Sequence, residues 1–167
     1  SATDPYTGNP LAVKVQRGTS SSSSKSVPSL TKESELMEWI QDHGHFPKVY
    51  PASYFHSQPD PTVLVMERLG KDLTTLAREQ PGKVLSPSTL AWVLTEGLNR
   101  LQELHAQGIV HRDIKPENFC IGLTDRSLYL TDFGLATDYL DEDGDHLIKQ
   151  PGSGFVGTPR FAPLESH

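Results

Sequence analysis

The chain has 167 residues, 35% of them hydrophobic, and a formal net charge of −6. That length suffices for one domain with a real core, and the acidic balance argues against nucleic acid or an anionic membrane as the main partner, since neither attracts an acidic chain. The lone Cys120 excludes an internal disulfide and points to a reducing, intracellular compartment, cytoplasmic or nuclear, and no apolar run approaches membrane-spanning length.

In chain order, Tyr6 to Pro10 is a turn cluster, and residues 11–15 alternate as a short strand with Lys14 at its middle. The serine run at 20–24 lies in a segment, 16–28, too polar to pack, and predicts a mobile loop. A helix follows from residue 29, with Leu30, Glu33, Leu36, Met37 and Ile40 at spacings of three and four, ended by Gly44. Glu33 falls on or beside its inward stripe, where a carboxylate wants a cation, and Lys14 is the obvious partner; Glu35 and Glu38 compete for the role but are expected in solvent. Residues 48–57 and 62–69 read as two strands joined by the turn QPDP, the second losing its apolar character at Glu67 and ending at Gly70, which suits a hinge. A short helix over 72–80 is closed by Pro81 and Gly82. A stronger one has Ser86 as cap, Pro87 in its first turn and Gly108 as its stop. Leu90, Val93, Leu94, Leu98, Leu101 and Leu104 form a continuous apolar stripe on it, expected to be core. Residues 119–121 and 128–130 read as a hairpin around TDRS. Beyond Gly134 the chain turns polar and irregular, with DEDGD at 141–145 as a solvated loop and PGSGFVGT at 151–158 as a flexible segment.

The most informative stretch is HRDIKPEN at 111–118, followed fourteen residues after Asn118 by Asp132 in the triplet DFG. It crowds two carboxylates, an amide and an ammonium into a span between an amphipathic helix and a strand turn. Moving a γ-phosphoryl group needs a metal to neutralise the triphosphate, a carboxylate for the attacking hydroxyl and cations over the equatorial oxygens. Asp113 can serve the hydroxyl and Lys115 can reach the transferring phosphate. Asn118 and Asp132 can supply hard oxygens to Mg²⁺, which takes one or two protein oxygens plus phosphates and water. Thr158 is placed to bond Asp113 or Lys115, and His111 is expected as a packed residue that shapes the loop. No carboxylate and histidine spacing suggests a zinc site.

The order of these motifs resembles that of protein kinases, with Lys115 as in serine/threonine kinases and LAVKV at 11–15 similar to the strand whose lysine holds the α and β phosphates. HRDIKPENF, GTPRFAPLESH at 157–167 and MERLG at 66–70 resemble the casein kinase I superfamily, and GF-x-GT at 154–158 leans towards its tau-tubulin kinase branch. The resemblance implies an α+β, bilobal protein-kinase-like fold: a partial small lobe over 1–67, a hinge over 68–71 and a partial large lobe over 72–167. It implies MgATP-dependent transfer to a protein serine or threonine, with Lys14 and Glu33 as an ion pair. Met66 would be the gatekeeper, Glu67 and Leu69 hinge contacts for adenine, and Cys120 would stand where the family has a leucine under the adenine ring. Arg160 matches an arginine that helps bind an anion, implying acidic or pre-phosphorylated substrates; Pro159, Pro163 and Glu165 depart from the family pattern.

The chain is expected to lack a glycine-rich phosphate loop before its first strand and the large helices after residue 167. On that expectation the 167-residue polypeptide alone has little or no kinase activity and exposes an apolar face. The alternative is a noncatalytic, pseudokinase-like binding or scaffold protein.

Overall fold

Alternating apolar residues build a four-stranded antiparallel sheet from β1 (Ala2–Thr3), β2 (Pro10–Val15), β3 (Val49–Tyr50) and β4 (Val63–Glu67), in spatial order β1-β2-β4-β3. The computed structural model describes residues 2–16, 30–55, 60, 62–141, 143–147 and 155–162. The serine run, all of the QPDP turn except Asp60, and residues 151–154 of the flexible segment fall outside them. The β2–β4 register places Lys14 opposite Leu64 and Ala12 opposite Met66. The turn joining β1 to β2 is closed by Asp4, 2% exposed, whose carboxylate accepts from the Tyr6 N–H, the Thr7 hydroxyl and the Tyr54 hydroxyl.

Helix α1 (Leu30–Ile40) lies against the sheet and turns Leu30, Glu33, Met37 and Ile40 inward, following the spacing of its apolar residues. The strand expected over 48–57 is much shorter. Pro51 has no N–H for a ladder, and the chain instead makes a 3₁₀ turn, Ala52–Phe55, whose Tyr54 packs edge-on to both Tyr50 and Phe55.

Below the sheet, α2 (Leu73–Arg78) is capped by the Asp72 side chain on the Thr75 N–H and is shorter than the 72–80 expected. Helix α3 (Pro87–His105) starts on the Ser86 cap. Gly108, with φ of 74°, takes the left-handed turn that releases the chain. Two small sheets follow: β5 (Ile109–Val110) with β8 (Thr137–Asp138), and the hairpin β6 (Phe119–Ile121) with β7 (Leu128–Leu130). The β5–β8 pair has no counterpart in the sequence reading, because two residues per strand carry no period.

The apolar stripe of α3 needs correction. Leu98 is 67% exposed, and Leu90 and Leu94 are also exposed, whereas Gly97, Arg100 and Leu104 are buried and Val93 and Leu101 partly so. The face that packs on the β6–β7 hairpin is one rotated from the leucine-rich one, with Gly97 facing the Phe119 ring. A single core runs from Leu30, Met37, Phe46 and Leu64 above to Leu73, Leu104, Phe119, Leu130 and Phe133 below. No helix among the described residues is long and apolar enough to cross a membrane.

Two substitutions on α3 are expected to act in opposite directions in urea unfolding. Leu104→Ala removes a fully buried side chain and should cost about 2–5 kcal/mol. Gly97→Ala adds a methyl that meets only Phe119, at 3.8 Å, and should stabilise by roughly 0.5–1 kcal/mol through helix propensity.

Candidate active site

Three separate segments meet at the Lys14 ammonium. It lies 2.8 and 2.9 Å from the two oxygens of Glu33 on α1 and 2.7 Å from Oδ1 of Asp132, just after β7. Glu33 is 5% exposed, so its charge requires a partner, while the Lys14 and Asp132 side chains face solvent in part, at 39% and 47%. Burial by itself would lower the Lys14 pKa, but its hydrogen bonds to Asp132 and Glu33 outweigh that and hold it above 10.5. Glu35 and Glu38 are exposed on the outer side of α1, which leaves Glu33 as the one of the three that reaches Lys14. Gly134 lies beside both carboxylates, where a Cβ would stand in ordinary contact, 3.4 Å from Glu33 and 3.7 Å from Asp132.

The 111–118 loop is fixed from within. His111 is 1% exposed and its ring sits edge-on to Phe133; Nδ1 accepts the Asp113 N–H, so Nε2 carries the proton that it donates to the Thr131 carbonyl at 2.9 Å. Burial pushes its pKa down and keeps the ring neutral. The Asn118 carbonyl accepts from both the N–H and the hydroxyl of Thr131, extending the hairpin by one step. That pairing sets Asn118 beside the residue before Asp132. The Asn118 amide nitrogen donates to the Asp113 carbonyl at 2.9 Å, which leaves its side-chain oxygen as an acceptor on the same buried residue. Arg112 and Asp132 hold left-handed backbones with φ of 67° and 63°, a conformation that costs a non-glycine residue about 1–2 kcal/mol. Arg112 is tied down through Nε to the Leu135 carbonyl.

Asp113, 7% exposed, accepts the Thr158 hydroxyl on Oδ1 at 2.6 Å and the Lys115 ammonium on Oδ2 at 2.5 Å; Lys115 also donates to Thr158. Burial raises its pKa, but the bonds from Lys115 and Thr158 prevail and hold it below 3.8. Gly157 makes this approach possible: its φ is 109°, and a Cβ would stand 2.5 Å from the Arg112 carbonyl.

Between the two halves, the Gly70 N–H donates to the Ile121 carbonyl at 2.7 Å, and a Cβ on Gly70 would come within 2.8 Å of the same oxygen. Met66 and Leu69 are partly buried, and the Leu69 N–H has no acceptor among the described residues. Glu67 accepts the Lys48 N–H on its side chain. Cys120 is half-buried on β6, with burial pushing its thiol pKa up against a hydrogen bond to Thr131. Arg160 stands apart: its guanidinium lies 5.5 Å from the Phe161 ring, and it makes no hydrogen bond or ion pair with a described residue.

A family model of the protein kinase domain matches residues 1–166. The chain belongs to the protein kinase family. This kinase chain is similar to a Caenorhabditis elegans protein whose name places it with casein kinase I, at 32% identity over 138 residues, 81% of this chain and 40% of that protein. It is also similar to a Dictyostelium discoideum protein named as a serine/threonine-protein kinase, at 41% identity over 112 residues, 65% of this chain and 22% of the other. The kinase chain therefore spans less than half the length of either relative, and its sequence is casein kinase I-like on an α+β kinase fold.

Sequence reasoning assigned nothing to Arg112, Gly134, Gly157 or Thr131. A glycine directly before Thr158 was the available signal for Gly157; the others act through tertiary contacts with no local pattern.

Two outcomes follow from this geometry. Lys14→Met leaves a buried carboxylate unpaired and should cost about 1–3 kcal/mol in urea unfolding, most of it restored when Glu33→Leu is added. In a carboxyl NMR titration, Asp113 should ionise below 3.8 and shift upward in Thr158→Ala. Because the folded pKa is depressed, the stability from this carboxylate is present above the unfolded value and is lost as pH falls through the folded one.

Proposed function

We propose that this kinase chain carries the phosphoryl-transfer groups of a serine/threonine protein kinase that uses MgATP. The observation that carries the proposal is the convergence of Lys14, Glu33 and Asp132 in one hydrogen-bonded cluster, although they come from β2, α1 and the turn after β7. In the proposed roles Glu33 holds Lys14, whose ammonium faces the α and β phosphates. The hinge residues Glu67 and Leu69 would take the adenine edge, with the Leu69 N–H, which has no acceptor among the described residues, as a donor; Met66 would be the gatekeeper and Cys120 would stand under the ring.

Asn118 and Asp132 offer one amide oxygen and one carboxylate, a donor set that fits Mg²⁺ better than a softer ion, and no group of three His, Cys, Asp or Glu side chains gathers among the described residues. Bound there, Mg²⁺ would neutralise triphosphate charge. Asp113 orients and accepts the proton of the acceptor hydroxyl, and Lys115 donates to the phosphoryl oxygens. Thr158 orders both groups from the side on which a protein substrate would enter. Arg160, free of described ion partners, is left available to an acidic or phosphorylated substrate residue.

The test uses the full-length protein with casein and MgATP. Wild type should transfer phosphate to serine or threonine, and Asp132→Asn or Lys14→Met should each lose about 10²-fold or more in kcat/KM. Equal activity in Asp132→Asn would remove that residue from the metal site, and nucleotide binding without transfer in wild type would favour a noncatalytic role.

A further inference from the structure

The loop between α1 and β3 is fastened to α3 by a carboxylate that phosphoryl transfer leaves unused. Glu103, on α3, accepts the His45 N–H on Oε2 at 3.2 Å. The same oxygen lies 3.2 Å from Arg100 Nε, and Oε1 lies 3.9 Å from His45 Nδ1. Neither of these two nitrogens makes a well-aligned hydrogen bond with a described residue, and both lie beside the Glu103 carboxylate. Arg100 is 4% exposed, held on Nη2 by Glu96 at 3.2 Å and pointing Nη1 at the Leu128 carbonyl.

The other side of His45 reaches the small hairpin. Its carbonyl accepts the Leu130 N–H at 3.3 Å, and its ring meets Tyr129 edge-on. Leu130 is two residues before Asp132. Next in the loop, Phe46 is buried and packs edge-on against Phe133. Gly44 has no room for a side chain, because a Cβ would overlap Glu103 Oε2. His45 is thus one peptide caught between α3 and β7, only five residues past the end of α1.

We propose that Glu103 is a positioning residue: its grip on the backbone at 44–45 fixes α1 relative to β7 and so sets the separation of Glu33 and Asp132 that Lys14 bridges. The mechanical part stands on the contacts above; its consequence for catalysis rests on the phosphoryl-transfer reading.

Full-length wild type, Glu103→Ala, Glu103→Gln and Gly44→Ala are compared by hydrogen exchange and by steady-state kinetics. Gln keeps an acceptor for the His45 N–H, whereas a Cβ in Gly44→Ala displaces the Glu103 carboxylate and also presses on the Phe46 ring at 3.0 Å. Exchange over 30–40 and 128–134 should rise roughly tenfold in Glu103→Ala and Gly44→Ala and stay near wild type in Glu103→Gln. KM for ATP should rise by about fivefold or more in the first two with a smaller fall in kcat, and Gln should restore it. Unchanged exchange over 30–40 in Gly44→Ala, or a Gln variant as open as the Ala variant, would overturn the proposal. If Glu103→Ala does not fold, Gly44→Ala and Glu103→Gln decide on the same readings. A wild type without transferase activity would sink the kinase reading, while the exchange data would still decide the clasp.

Discussion

A single ammonium shared by two carboxylates holds this structure's working parts in one place. Lys14 on β2, between the exposed Val13 and Val15, would by itself be an ordinary strand lysine. It is the buried Glu33 that changes this, because a carboxylate at 5% exposure without a cation costs several kcal/mol or shifts its protonation. The third member, Asp132, lies toward solvent and sits on a left-handed backbone. The cluster therefore has a desolvated side that fixes geometry and a wet side that can exchange its partner for a ligand. Part of the Asp132 charge is neutralised by Lys14, and in the proposed metal role a divalent ion would meet one carboxylate already oriented.

Beneath this bridge the structure relies on backbone pairing more than on side chains. The β6–β7 hairpin carries Asn118 and Asp132 at its open end, and its register continues one step further through the two Thr131 bonds to the Asn118 carbonyl. His111 then closes onto the same Thr131 from the opposite direction. One residue with no charge thus locates both prospective metal-facing side chains and the loop bearing Asp113. The left-handed conformations of Arg112 and Asp132 persist because these bonds leave the chain no alternative course.

The site was more legible in the sequence than the packing around it. HRDIKPEN and DFG announce a chemistry by residue type and order, and the helical spacing of Leu30, Glu33, Met37 and Ile40 sufficed to turn Glu33 inward and pair it with Lys14. Orientation of α3 was not legible. Leu90, Leu94 and Leu98 advertise a core face more loudly than Val93, Gly97, Arg100 and Leu104 do, but glycine and arginine at the true interface are read as polar or helix-weakening when seen one residue at a time. Arg100 is buried only because Glu96 and Glu103, one turn to either side, surround it with charge. The β5–β8 pairing and the shortened β3 were hidden for simpler reasons: two-residue strands have no period, and Pro51 ends a ladder whose neighbouring residues favour a strand.

The engagement of Asp113 raises the question of whether a carboxylate already bonded to Thr158 and Lys115 has room for a substrate hydroxyl. Oδ1 accepts one bond, from Thr158, and Oδ2 accepts the Lys115 ammonium and, at 3.4 Å, a distant contact from the Asn118 amide. Each carboxylate oxygen has two acceptor sites, and the Thr158 backbone N–H also bears on this carboxylate and helps to lower its pKa. Lys115 and Thr158 remove the carboxylate's freedom to rotate and hold its pKa low, which keeps it an acceptor across the physiological range. A hydroxyl placed there arrives at a group already ionised and oriented, the condition under which positioning contributes most to rate.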